Sequence, residues 1–208
     1  EKRKQANNFW KQAMLELKAY DKDEDQRFFQ SWLRARYAES IRPGKAGSKN
    51  EDFEKIGTRF HSWVRDNLSK VGLDADSGDS FEQFVQHEFR FYYKAYLRIL
   101  DAEKTLVPGL EHVFYISRWG IAPTLSLPLM LAALNSHDSR TTVALKINTV
   151  AAYIETFVVR RSVNFRNFSA SSIRYTMYSL VKELRGLDLP ALHTLLTQKL
   201  ADMKESFE

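Results

Sequence analysis

The stretch Ile121-Ala122-Pro123-Thr124-Leu125-Ser126-Leu127-Pro128-Leu129-Met130-Leu131-Ala132-Ala133-Leu134 decides the fold. It is too short and too interrupted to be a membrane span, which needs ~20 apolar residues. Ser126-Leu127-Pro128 reads as the start of a helix to Leu134, with Pro128 tolerated in its first turn. Trp119 to Pro123 reads as an irregular junction ahead of it. A helix that is apolar on every side belongs at the centre of a helical core. The neighbouring segments must therefore supply helices that cover it.

They carry that pattern. After the run, Asp138 or Ser139 caps a helix of about Thr141 to Val163, whose stripe is Val143, Ile147, Val150, Ile154, Phe157 and Val158. Ser169 to Ser172 cap the next helix, to Leu184, with Gly186 as its stop. Pro190 opens the last helix. Before the run, Leu110 to Arg118 is a short helix. Ser80-Phe81-Glu82-Gln83 reads as a capping box for a long helix to about Glu103. Asn50 suits the N-cap of a helix carrying Phe53, Ile56, Phe60 and Trp63, with Gly72 beyond its end. Residues 5–20 and the segment from the acidic run Asp21–Asp25 to about Ile41 are two more helices. The expectation is an all-α fold of about eight or nine helices around one core, occupying 1–208. A subdivision, if there is one, falls near 104–110.

Composition agrees. The chain has 208 residues, 44% hydrophobic and 27% charged, the proportions of an ordinary globular protein. Eight Gly and five Pro are too few for a strand-and-turn architecture. Cysteine is absent, which excludes disulfides, cysteine–metal sites and thiol nucleophiles and fits a reducing, cytoplasmic setting. The sequence starts at a charged Glu1-Lys2-Arg3-Lys4 with no apolar leader. It reads as a piece of a longer protein, without a membrane partner.

Catalytic patterns are missing. The five His are scattered, and no His-Glu-x-x-His occurs. Glu111-His112 is the one adjacent acid–His pair. It fits a helix-start acid beside a half-buried His better than a metal ligand. Gly44-Lys45-Ala46-Gly47-Ser48-Lys49 mimics part of a phosphate loop, but no strand precedes it. Acid pairs such as Asp23 with Asp25 sit in polar turns. No catalytic, cofactor-binding or metal-ligating residue is assigned, and no cofactor is expected.

The net charge of +5 is unevenly placed. Residues 1–80 nearly balance, with 16 basic and 14 acidic side chains. Residues 140–185 hold eight basic against two acidic, a local excess of +6. Within them, Arg160, Arg161, Arg166 and Arg174 alternate with Asn164, Phe165, Asn167 and Phe168. Arginine grips phosphate bidentately and phenylalanine stacks on bases, so these four Arg are the candidate DNA-binding residues. The competing reading makes Phe157 and Phe165 plain core. It leaves Arg160 and Arg161 to offset a helix C-terminus or to pair with acids such as Glu155 and Glu183.

Four ordered segments resemble the central region of the GmrSD-type restriction proteins. They are Phe28-Phe29-Gln30-Ser31-Trp32-Leu33-Arg34-Ala35-Arg36-Tyr37-Ala38-Glu39, Phe53-Glu54-Lys55-Ile56-Gly57-Thr58-Arg59-Phe60-His61-Ser62-Trp63-Val64-Arg65-Asp66-Asn67, Leu106-Val107-Pro108-Gly109-Leu110-Glu111-His112-Val113-Phe114-Tyr115, and the region from Arg160-Arg161 to Tyr178. Members of that family join a ParB/sulfiredoxin-like N-terminal domain to a C-terminal His-Asn-His nuclease. The resemblance implies a protein of phage defence that cuts modified DNA with nucleotide assistance. The family's Asp-Gly-Gln-Gln-Arg signature and its nuclease pattern are both absent, so the resemblance implies a non-catalytic middle. Such a middle scaffolds the flanking domains and contacts DNA phosphates. A rival expectation is a helical protein–protein interaction or dimerisation module.

Overall fold

The structure, a computed structural model, describes residues 1–45, 47–118 and 123–203. Helix accounts for 75% of the described residues and no strand occurs among them, so the protein is all-α. The elements are α1 (Lys2–Tyr20), α2 (Glu24–Tyr37), α3 (Asp52–Asp66), a 3-10 turn (Leu68–Val71), α4 (Gly78–Phe84), a π segment (Val85–Phe89), α5 (Arg90–Lys104), α6 (Glu111–Arg118), α7 (Pro123–Ala132), α8 (Arg140–Val163), α9 (Ala170–Leu184) and α10 (Leu189–Ala201). α4, the π segment and α5 follow without a break and form one rod. The chain divides into two compact units, Glu1–Leu97 and Arg98–Glu208, and the division falls inside α5, ahead of the 104–110 stretch.

The Glu1–Leu97 unit has an aromatic core. Phe28 and Trp32 recur at helical spacing on α2 and stack at 5.5 Å. They meet Phe89, Tyr92 and Tyr96, all fully buried. Rings of this size bury 150–250 Å² each, roughly, and dominate the energetics of so small a core. The acidic start of α2 departs from the expected solvated turn. Glu24 is buried, because the Tyr96 hydroxyl and Arg27 Nη1 both donate to its carboxylate. Gly57 lets α3 close on α2: a methyl group there would overlap the Arg34 guanidinium, which donates to the Phe53 carbonyl.

Several expected helix ends move by a few residues. α3 starts after Glu51, not Asn50, because the Glu54 carboxylate reaches back to the Glu51 N–H at 3.3 Å. α4 starts after Ser77, not Ser80. The Ser80 hydroxyl instead donates to the Ser77 carbonyl at 2.7 Å and accepts from the Asp74 N–H at 3.0 Å. α2 ends at Tyr37, short of Ile41.

In the Arg98–Glu208 unit, α7 is the centre, as its apolar run requires. Every residue from Leu125 to Leu134 is buried, and α7 packs on α8 and α9. Its start differs from the expectation. The helix opens at Pro123, so Pro128 lies inside it and the Thr124 carbonyl loses its helical donor. Thr124 is exposed, which limits that cost. The irregular junction expected at Trp119 to Pro123 falls on 119–122, outside the described residues.

α8 is long and apolar enough to cross a membrane by length and composition, yet half of that apolar window is buried inside the protein. It packs on α6, α7 and α10. It also carries Lys146, wholly buried, whose ammonium donates to Asp138 Oδ2 at 2.8 Å and to the Leu187 carbonyl at 2.8 Å. Asp138 is thus a partner for Lys146, and Ser139 is the cap, accepting from the Thr142 N–H.

Candidate functional site

The basic segment bends at the end of α8. The Arg166 N–H donates to the Arg161 carbonyl at 2.8 Å and the Phe165 N–H to the Ser162 carbonyl at 3.1 Å. This pair of bonds is the Schellman closure of a helix, with Phe165 at the position usually held by glycine. Phe165 has φ +55° and is the one left-handed residue other than glycine among the described residues. The conformation costs an L-residue roughly 1–2 kcal/mol. Its ring is 100% exposed. A large apolar side chain thus stands in solvent on a backbone that disfavours it.

The four candidate arginines divide. Arg160 is half-buried and donates to the Leu200 carbonyl in the last turn of α10, where the helix dipole favours a cation. Arg161 lies 5.6 Å from the Phe157 ring centre and donates twice to the Asn167 carbonyl, at 3.0 and 2.6 Å. Arg161 braces the corner, and Arg160 ties the end of α8 to α10. Arg166 is exposed next to Phe165, and Arg174 is half-buried on α9. Phe157 is core, as one reading of the sequence has it, but Phe165 is not. The acids offered as partners are engaged elsewhere, Glu183 with Lys199 at 2.7 Å and Glu155 with His112 at 2.6 Å.

His112 of that last pair lines a cavity of about 320 Å³ together with Asn148, Tyr153, Thr156 and His193. His112 Nδ1 faces Glu155 Oε2, and the His112 backbone N–H donates to Asn148 Oδ1 at 3.0 Å. The neighbour Glu111 plays no part in the pair. Its carboxylate accepts from the Gly109 N–H at 2.8 Å, which holds its pKa below the ordinary value. Burial, with the charge of Glu183, pushes the Tyr153 hydroxyl up to about 12, so it is neutral here. No group of three metal-ligating side chains occurs among the described residues.

The glycine–lysine loop makes no phosphate cradle on the residues described. The Ser48 hydroxyl donates to the Lys45 carbonyl, and α3 begins only at Asp52. Ala46 of that loop lies outside the described residues.

Sequence reasoning did not find the His112–Glu155 pair, whose members are 43 residues apart, or the exposure of Phe165. A Schellman corner without glycine is the local signal that would have marked Phe165. Comparison of the chain with family models, with curated proteins and with solved structures gave no match.

Proposed function

We propose that this chain is a non-catalytic helical domain of a GmrSD-like modification-dependent restriction protein in phage defence. In this reading it scaffolds catalytic domains on either side and touches DNA at the α8–α9 corner. The family part rests on the four ordered sequence segments. The DNA part rests on one observation, the fully exposed Phe165 ring in a left-handed conformation beside Arg166. Backbone strain kept at an exposed aromatic is a feature of functional positions. A free ring can stack on a base or wedge at a step, while Arg166 supplies phosphate attraction.

Phe165→Gly separates contact from fold. Glycine accepts the left-handed corner, so stability should hold or rise by up to about 1 kcal/mol. Affinity for single-stranded or duplex DNA, read by fluorescence anisotropy, should fall about fivefold or more, the loss of one stacking contact. Arg166→Ala should weaken binding and shallow the salt slope by up to about one unit. DNA affinity unchanged in both variants would refute the DNA surface. Val163 and Phe165 are both exposed apolar residues at this corner, which favours a dimerisation module as the second reading. A salt-resistant dimer that Phe165→Gly dissociates would establish that reading instead.

A further inference from the structure

Within the Glu1–Leu97 unit, apolar side chains converge on a cavity of about 200 Å³. Trp10 reaches it from α1, Phe29 from α2, Val64 from α3, and Phe81 and Phe84 from α4. Leu73, just beyond the 3-10 turn, lines it as well. All six keep accessible surface: Phe81 is 37% exposed and the other five are half-buried. Apolar residues scattered singly over a surface are ordinary. Six that line one concave space, from four helices and a loop, are not, because packed proteins leave few voids larger than a water molecule.

Two irregularities border the space. α3 leaves helical geometry at Arg59 (φ −146°, ψ 56°), ahead of His61 and Val64, which line the cavity. The π segment Val85–Phe89 starts directly after Phe84, and π turns recur at functional sites. The lining decides what enters. No Asp, Glu, Lys or Arg lines the cavity among the described residues, and His61, itself exposed, is the one titratable side chain there. The Trp32 indole nitrogen is closed off and offers no polar anchor. A charge brought into such surroundings without a partner is heavily penalised.

We propose that this cavity is a binding site for a small, uncharged, hydrocarbon-like molecule of about six to eight carbon atoms. Size follows by proportion. An apolar cavity of about 150 Å³ takes benzene, so one of about 200 Å³ takes roughly eight heavy atoms at the same packing. Affinity comes from the apolar surface removed from water, and it sets no demand for a flat ligand or a hydrogen-bonding one. The proposal uses no residue of the α8–α9 corner and stands apart from the DNA reading.

The test uses the whole ¹⁵N-labelled chain with toluene, methylcyclohexane and benzylammonium: a flat hydrocarbon, a puckered one and a charged relative of the first. The signals read are the backbone amides of Leu73, Phe81 and Phe84 and the Trp10 indole, which Trp10→Phe assigns by its disappearance. Both hydrocarbons should shift these signals in a saturable way and raise Tm. Benzylammonium should bind about tenfold more weakly or worse. Val64→Phe, which puts a ring into the space, should weaken both hydrocarbons by about tenfold or more while Tm holds or rises. Phe81→Ala, at a partly exposed wall, should weaken both about threefold or more and decides the matter if Val64→Phe fails to fold. No saturable shift with either hydrocarbon, benzylammonium bound as tightly as toluene, or binding unchanged in the variants that fold overturns the proposal. A dimer that Phe81→Ala dissociates, with no hydrocarbon bound, would give the space to a side chain of a second copy and overturns it too.

Discussion

Asp138→Ala should destabilise the protein by about 3–5 kcal/mol, the penalty for leaving one member of a buried ion pair alone. The geometry puts the value in this range. The Lys146 side chain is 1% exposed, and its ammonium has two acceptors, Asp138 Oδ2 and the Leu187 carbonyl, each at 2.8 Å. Removing the carboxylate leaves a buried cation with one neutral acceptor. It also removes the acceptor for the Asn135 N–H, at 2.8 Å. Lys146→Met should cost less, about 1–3 kcal/mol. The Leu187 carbonyl loses a donor, but Asp138 is 12% exposed and keeps the Asn135 N–H. The double variant should be less destabilised than the sum of the two, because neither charge is then stranded. For a chain this long each kcal/mol moves Tm by about 2–4 °C, so Asp138→Ala should lower it by roughly 6–20 °C. Thermal and urea unfolding followed by circular dichroism at the helix band give all three values. An Asp138→Ala variant within about 0.5 kcal/mol of the parent, or strict additivity in the cycle, would refute the buried-pair account.

Replacing both Arg160 and Arg161 with Ala should lower stability by about 2–4 kcal/mol, since each guanidinium donates to a main-chain carbonyl, and a melting curve reads the loss. Burial pushes Tyr37 and Tyr153 up to about 12, above their ordinary value of 10. Their neutral forms therefore support the fold fully below pH 10, and that support is lost as pH rises from about 10 to about 12. Tyrosinate absorbance should show them ionising late and together with unfolding, and ionisation at the ordinary pH in the folded protein would contradict their burial. The chain should neither cut DNA nor hydrolyse nucleoside triphosphates, and metal-dependent nicking that co-purifies with the folded protein would overturn the non-catalytic reading.

Most of the architecture is written in local periodicity, which is why it can be read. The all-apolar run up to Leu134 announces a central helix, and Leu125–Leu134 is buried throughout. The stripe of α8 faces inward as its spacing requires. Helix starts are less legible because several polar residues compete for each cap. Ser77 displaces Ser80 and Glu51 displaces Asn50 through bonds that depend on the three-dimensional course of the loop. The candidate sites are least legible. His112 and Glu155 meet across 43 residues, and a cavity of about 200 Å³ ringed by Trp10, Phe29, Trp32, Phe60, Phe81 and Phe84 draws on four helices. Nothing in the spacing of Trp10, Trp32 and Phe84 says that they leave a space instead of filling it. The arginines were visible as a cluster, but which of them brace the corner and which face solvent depends on the turn that Phe165 makes.

The π segment has a further meaning for the chain as a linear object. A π turn holds about one residue more than an α turn, so it puts the two halves of a rod out of phase by about 100°. Deleting one residue within Val85–Phe89 would let the rod relax to plain α geometry. Gly78–Phe84 would then rotate by about that angle relative to the α5 residues that follow. Phe84 would leave Trp32, at 5.3 Å, and Phe81 would leave Trp10, at 5.9 Å, although no side chain had been changed and helix content were the same. Residue count, more than residue identity, keeps these faces aligned. Exposed His87 should accept almost any substitution, whereas its removal should not be tolerated.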